Sequence, residues 1–123
     1  MKTADKIDLL FTTITKPDGS SYSYQDIATM GGDVVSRTSI WKARTGKIEN
    51  PSQRLLGVLS KAFRVPVRYF FEEEIAAEDI PRYLEEYRNE RLIDQIALRA
   101  TELNEEGKEA LLQMIDYVRN SHK

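Results

Sequence analysis

Arg37, Thr38, Ser39 and Lys42 supply charge and hydrogen-bond donors within one short stretch. Ile40 and Ala43, three apart, point to the core side of a helix and leave those four on the other side. Side chains of this kind, small or polar near the start of a short helix, suit base edges in a duplex major groove. That groove is about 12 Å wide and admits one α-helix. The surrounding charge has the same sense. Residues 36–68 hold eight basic side chains against the single acid Glu49, a balance of +7. Residues 69–123 hold seven basic and fourteen acidic side chains, a balance of −7, and residues 1–35 add −2. The net charge of −2 therefore hides a bipolar molecule, and its basic block is the electrostatic footprint of a phosphate-backbone binder.

A run of helices must position these groups. Ile7, Leu10, Phe11 and Ile14 follow the i, i+3, i+4, i+7 spacing of a first helix, ended by the turn cluster Lys16-Pro17-Asp18-Gly19-Ser20-Ser21. Ser23 with Asp26 three residues later reads as a capped start for a second helix, broken at Gly31-Gly32-Asp33. Ser36 caps a third, from Arg37 to Arg44, which Gly46 stops. Asn50-Pro51-Ser52 opens a fourth, with Leu55, Leu56, Leu59, Ala62 and Phe63 on its apolar stripe. A short fifth helix after Pro66 brings Tyr69 and Phe70 to the core. The run Glu72-Glu73-Glu74 marks a composition shift and an expected domain boundary. Beyond it, three more helices are expected. Leu84 and Tyr87 lie on the first, from about Ile80; Ile93, Ile96, Ala97, Ala100 and Leu103 line the second. Leu111, Met114, Ile115 and Val118 line the third, capped by Asn104.

Composition closes off other chemistries. A chain of 123 residues holds one domain or two small ones, with a modest core. The absence of cysteine excludes disulfides, thiolate zinc sites and cysteine nucleophiles. The sole histidine, His122, is expected in solvent. No apolar run approaches the roughly 18 residues of a membrane span, and the N-terminus does not read as a signal peptide. Glu72-Glu73-Glu74 and Glu105-Glu106 lack a histidine partner, and adjacent helical residues do not face one another. They read as a solvated boundary and a helix start rather than a metal or carboxylate catalytic site. The expectation is a cytoplasmic, nucleoid-associated protein that is not an enzyme, with no metal, cofactor or small-molecule ligand indicated.

Two short helices joined by a glycine-containing turn make a helix-turn-helix, whose second helix enters the major groove. From about residue 7 to residue 71 the chain resembles the XRE (lambda-repressor/Cro-type) helix-turn-helix family. The resemblance is carried by Gln25-Asp26-Ile27-Ala28, Ile40-Trp41-Lys42-Ala43-Arg44-Thr45-Gly46 and Asn50-Pro51-Ser52. Leu59 with Ala62-Phe63, and Val65-Pro66-Val67-Arg68-Tyr69-Phe70, extend it. Over nearly its whole length the chain is similar to actinobacterial regulators of the EspR-like type. Those have an RTG segment shortly before NP, a YF ending, and a C-terminal pair like Ile96-Ala97-Leu98-Arg99-Ala100 and Leu103-Asn104-Glu105-Glu106. Ala28 and Ile40 lie twelve residues apart, two more than is typical of the family. The EspR-like regulators share an extended turn.

The resemblance implies an all-α protein: a five-helix XRE-type DNA-binding domain over residues 1–72, then a helical dimerisation segment over residues 73–123. It implies double-stranded DNA as partner, with a recognition helix over residues 37–45. Gln25, Arg44, Thr45, Lys47 and Asn50 would touch phosphates; Thr38, Ser39 and Lys42 would face bases, and Arg37 either bases or phosphate. Phosphate contacts set register and affinity, and base contacts select sequence. Alternatives stay open at several positions. Arg37 could pair with Asp33, Trp41 could pack against the C-terminal segment or lie beside the sugar-phosphate backbone, and Arg54, Lys61, Arg64 and Arg68 read as a solvated face. Helix-turn-helix proteins usually dimerise. Leu84, Tyr87, Ile93, Ile96, Leu111, Met114, Ile115 and Val118 are the expected homodimer contacts. The reading is a sequence-specific transcriptional regulator, repressor or activator. The rival is a protein-interaction module, or an antitoxin, using the same fold with incidental DNA affinity.

Overall fold

The computed structural model describes residues 1–121; His122, expected in solvent, lies outside them. The protein is all-helical, with no strand among the described residues, only an isolated antiparallel bridge between Thr15 and Ser21. The chain divides into two compact units, residues 1–84 and 85–123. In order come α1 (Thr3–Thr13), α2 (Tyr24–Met30), α3 (Arg37–Arg44) and α4 (Gln53–Phe63). Two short 3-10 segments follow, Val67–Phe71 and Ala77–Asp79, then α5 (Ile80–Ala100) and α6 (Glu105–Asn120).

The helix starts are where the capping residues put them. Ser23 Oγ accepts the Asp26 N–H at 3.0 Å while the Asp26 carboxylate accepts the Ser23 N–H at 2.9 Å, a reciprocal capping box. Ser36 Oγ accepts the Ser39 N–H and Ser52 Oγ the Leu55 N–H, each at 3.1 Å. Asn104 Oδ1 does the same for Gly107 at the start of α6. Each such bond satisfies a donor that the first helical turn leaves without a partner, and is worth about 1 kcal/mol.

The core of the first unit is built where these helices cross. α1 packs on α3, α2 on both α3 and α4, and the first 3-10 segment on α1 and α4. Ile7, Leu10, Ile27, Ile40, Leu59 and Tyr69 are fully buried. Phe11 meets the Phe63 ring edge-on at 4.9 Å and the Tyr24 ring at 5.3 Å. Two polar bonds seal the join between α1 and the 3-10 segment. Lys6 Nζ donates to the Phe70 carbonyl at 2.9 Å, and the Tyr69 hydroxyl donates to the Lys6 carbonyl at 2.7 Å.

Two details differ from the sequence reading, and a third is made specific. The first unit runs on to Leu84 rather than ending at residue 72, because Ile75, Ile80 and Tyr83 are buried in its core. The short fifth helix expected after Pro66 is the 3-10 segment Val67–Phe71, with Tyr69 and Phe70 buried. The two helices expected between Ile80 and Leu103 are one, α5, since residues 82–100 contain neither glycine nor proline to break it. Pro81 sits in its first turn, where no intrahelical partner is lost.

Candidate nucleic-acid interface

α3 has two chemically distinct sides. Ile40 and Ala43 are completely buried, and burying a side chain such as Ile40 contributes about 1.5–3 kcal/mol to holding the helix against the core. Arg37, Thr38, Trp41 and Lys42 are exposed. Among the described residues, no ion pair holds Arg37 or Lys42, and the alternative pairing of Arg37 with Asp33 is not made. Ser39 is partly drawn into the cap: its hydroxyl lies 3.1 Å from that of Ser36, and it is half-buried. Of the four expected base-facing residues, Arg37, Thr38 and Lys42 are therefore free toward solvent, and Ser39 is the least so.

The connection over residues 31–36 brings the starts of α2 and α3 together. Gln25 and Ala28 from α2, residues 33–36 of the connection, and Arg37 and Thr38 from α3 line one open depression of about 600 Å³. Gln25 is exposed, with its amide donating to Thr29 Oγ1 at 3.2 Å. Asp33 and Val34 of the longer turn are among the residues lining this depression; the sequence reading had Asp33 only as a helix breaker and an alternative partner of Arg37, and did not single out Val34. The two-residue lengthening was the available signal.

The remaining expected phosphate contacts divide. Lys47 and Asn50 are exposed. Lys47 follows Gly46, whose φ of +81° turns the chain out of α3, and its ammonium sits 5.4 Å from the centroid of the Trp41 ring. Thr45 turns its hydroxyl back to the Trp41 carbonyl at 2.8 Å. Arg44 is engaged inside the fold. Its Nε donates to Asp8 at 2.8 Å, an Nη donates to the Tyr24 hydroxyl at 3.3 Å, and its guanidinium lies 4.6 Å from the Phe11 centroid. Any phosphate reaching Arg44 would share a guanidinium already bound on three sides. Asp8 and Tyr24, partners from α1 and α2, carried no sequence signal.

Electrostatics tighten the same corner. The Ser23 N–H and then the Lys16 ammonium, 2.9 Å away, hold the Asp26 carboxyl well below the usual carboxylate range, at about 2. The same contact raises Lys16. The start of α2 thus keeps its charge and its cap through ordinary pH.

The expected dimer residues also separate. Leu84 packs against the core of the first unit. In the second unit Ile115 is buried, Tyr87, Ile93, Ile96, Leu111 and Val118 are half-buried, and Met114 is exposed. Leu98 and Tyr117 are more exposed than any of these, Tyr117 at 77%, and Leu112 is as exposed as Met114. None of the three was among the expected dimer contacts: Leu98 entered only through the resemblance, and on α6 the stripe of Leu111, Met114, Ile115 and Val118 already completed a helical face.

Among the described residues, no group of three or more His, Cys, Asp and Glu could hold a metal ion, and no helix is long and apolar enough to cross a membrane. No protein-family model matches the chain, and no curated protein matches it either.

Proposed function

We propose that the protein is a sequence-specific double-stranded DNA-binding transcriptional regulator, with the exposed face of α3 seated in the major groove. The observation that carries this reading is the sidedness of α3: Ile40 and Ala43 are buried, while Arg37, Thr38 and Lys42 stand exposed, Arg37 and Thr38 lining one depression with Gln25. A helix that is locked by its back and polar on its front is what groove entry needs. The XRE family and its EspR-like branch are the assignment that the motifs favour, with α2, the extended turn and α3 as the helix-turn-helix. Lys47, Asn50 and Gln25 anchor phosphates, and Arg37, Thr38 and Lys42 read bases.

The protein acts as a homodimer. Leu98, Leu112, Met114 and Tyr117 in the second unit are apolar and exposed, and a second copy is the partner that two half-sites about one DNA turn apart demand. A protein-interaction role is the second reading, favoured by Phe71, which is 69% exposed beside the acidic run 72–74.

Fluorescence anisotropy of a labelled duplex across a salt series tests the DNA reading. Counterion release makes the logarithm of the affinity fall linearly with that of salt, steeply where several phosphates are neutralised. An affinity that stays flat between low and moderate salt would contradict the proposed mechanism.

A further inference from the structure

Trp41 is the only tryptophan and is 38% exposed on the front of α3, where neither core packing nor the caps require a large apolar side chain. At about 100° per residue, with Ile40 and Ala43 fixing the inward direction, Thr38 lies on the outermost line of α3. Trp41 and Lys42 flank that line at about 50° on either side. An α3 seated in a groove by its outer face therefore carries the indole in beside Lys42. The ring is held there: the Lys47 ammonium lies over it, 5.4 Å from the centroid. The indole is an apolar ring apart from its one N–H donor. Among base edges in the major groove, the apolar group is the C5-methyl of thymine.

We propose that Trp41, steadied by Lys47, is a specificity-determining residue that reads a thymine C5-methyl group in each half-site. This rests on the DNA-binding reading above and adds a contact to the polar set on the same face. It also accounts for an exposed indole on a helix whose other outward side chains are polar.

Replacing thymine by uracil removes that methyl and nothing else. Selection from a random duplex library, using the full-length wild-type protein, supplies the probe; each thymine of the selected duplex is then replaced in turn by uracil. One position per half-site should weaken wild-type binding about fourfold, the value of one buried carbon. Trp41→Ala should bind the thymine and uracil forms equally. Because Trp41 is the sole tryptophan, wild-type indole emission should also differ between the two forms at that position alone, a readout independent of any variant's folding. The proposal is overturned if no thymine-to-uracil change affects the wild type, or if Trp41→Ala discriminates as well as wild type. Indole quenching that is identical on both forms would assign the ring to the sugar-phosphate backbone and overturn it too. Failure of the wild type to enrich any duplex would instead remove the DNA reading itself, and this contact with it.

Discussion

Asp8 and Arg44, thirty-six residues apart, meet at 2.8 Å, and the same guanidinium lies over the ring of Phe11. One side chain at the end of α3 therefore ties that helix to α1 and, through the Tyr24 hydroxyl, to α2. Arg44→Ala should lower stability by about 1–2 kcal/mol, from the lost cation–π contact and the packing of its stem. Asp8→Asn should cost less than about 1 kcal/mol, because Asp8 is 54% exposed and an ion pair there is screened. Arg44→Lys should not restore the loss, since an ammonium cannot make both bonds and stack. Urea unfolding midpoints rank the three.

Gly31 ends α2 with its Cα against the side chain of Val58 on α4. A Cβ there would clash with Val58 Cγ1 and lie 3.3 Å from the Ile27 carbonyl. Its φ of −82° is ordinary, so space rather than backbone freedom demands glycine. Valine is stiff about χ1 and cannot swing aside cheaply. Gly31→Ala should destabilise by about 1–3 kcal/mol through overpacking. Adding Val58→Ala should make the double variant more stable than the sum of the two single effects, which a thermodynamic cycle reads directly.

The capping box at the start of α2 sets a pH dependence. The folded Asp26 carboxyl sits at about 2, against 3.8 when free. Its contribution is fully present above 3.8 and is lost as pH falls from there toward about 2, because the unfolded chain then binds the proton more tightly. Melting temperatures of wild type and Asp26→Asn, followed down through that range, should converge. A gap that widens on acidification would contradict the assigned cap.

How far these features were legible in the chain follows from their range. Ser23 with Asp26, Ser36, Ser52 and Asn104 act on groups three residues away, so each helix start could be read locally. The inward pair Ile40 and Ala43 was legible from helical spacing alone. Lys6 was not: a lysine reads as solvated until Phe70, sixty-four residues on, supplies its acceptor. The partners of Arg44 are also far along the chain, 36 and 20 residues away, and so a residue expected at a phosphate turns out to be held in the fold. Glu72-Glu73-Glu74 looks like a linker, yet the buried residues Ile75, Ile80 and Tyr83 lie beyond it. Burial of that kind is decided by tertiary packing and leaves only single apolar residues as a signal.

The exposed apolar side chains of the second unit carry the dimer proposal. Wild type should scatter light as a dimer at micromolar concentration, and Leu112→Glu with Tyr117→Lys should shift it to monomer while leaving helicity unchanged. On DNA, loss of the second half-site should weaken the paired variant far more than any change in α3 chemistry would suggest. A wild-type monomer both free and on DNA would contradict the dimer.

Selection of bound sequences from a random duplex library, with wild type and Lys42→Ala in parallel, tests the central claim most directly. Lys42 is exposed on α3 and makes no ion pair among the described residues, so the substitution should spare the fold. Wild type should enrich a motif that relaxes at one position per half-site in the variant, where about 1–3 kcal/mol of base discrimination is lost. Salt-sensitive binding without enrichment, or a motif that the variant leaves unchanged, would contradict sequence readout by α3.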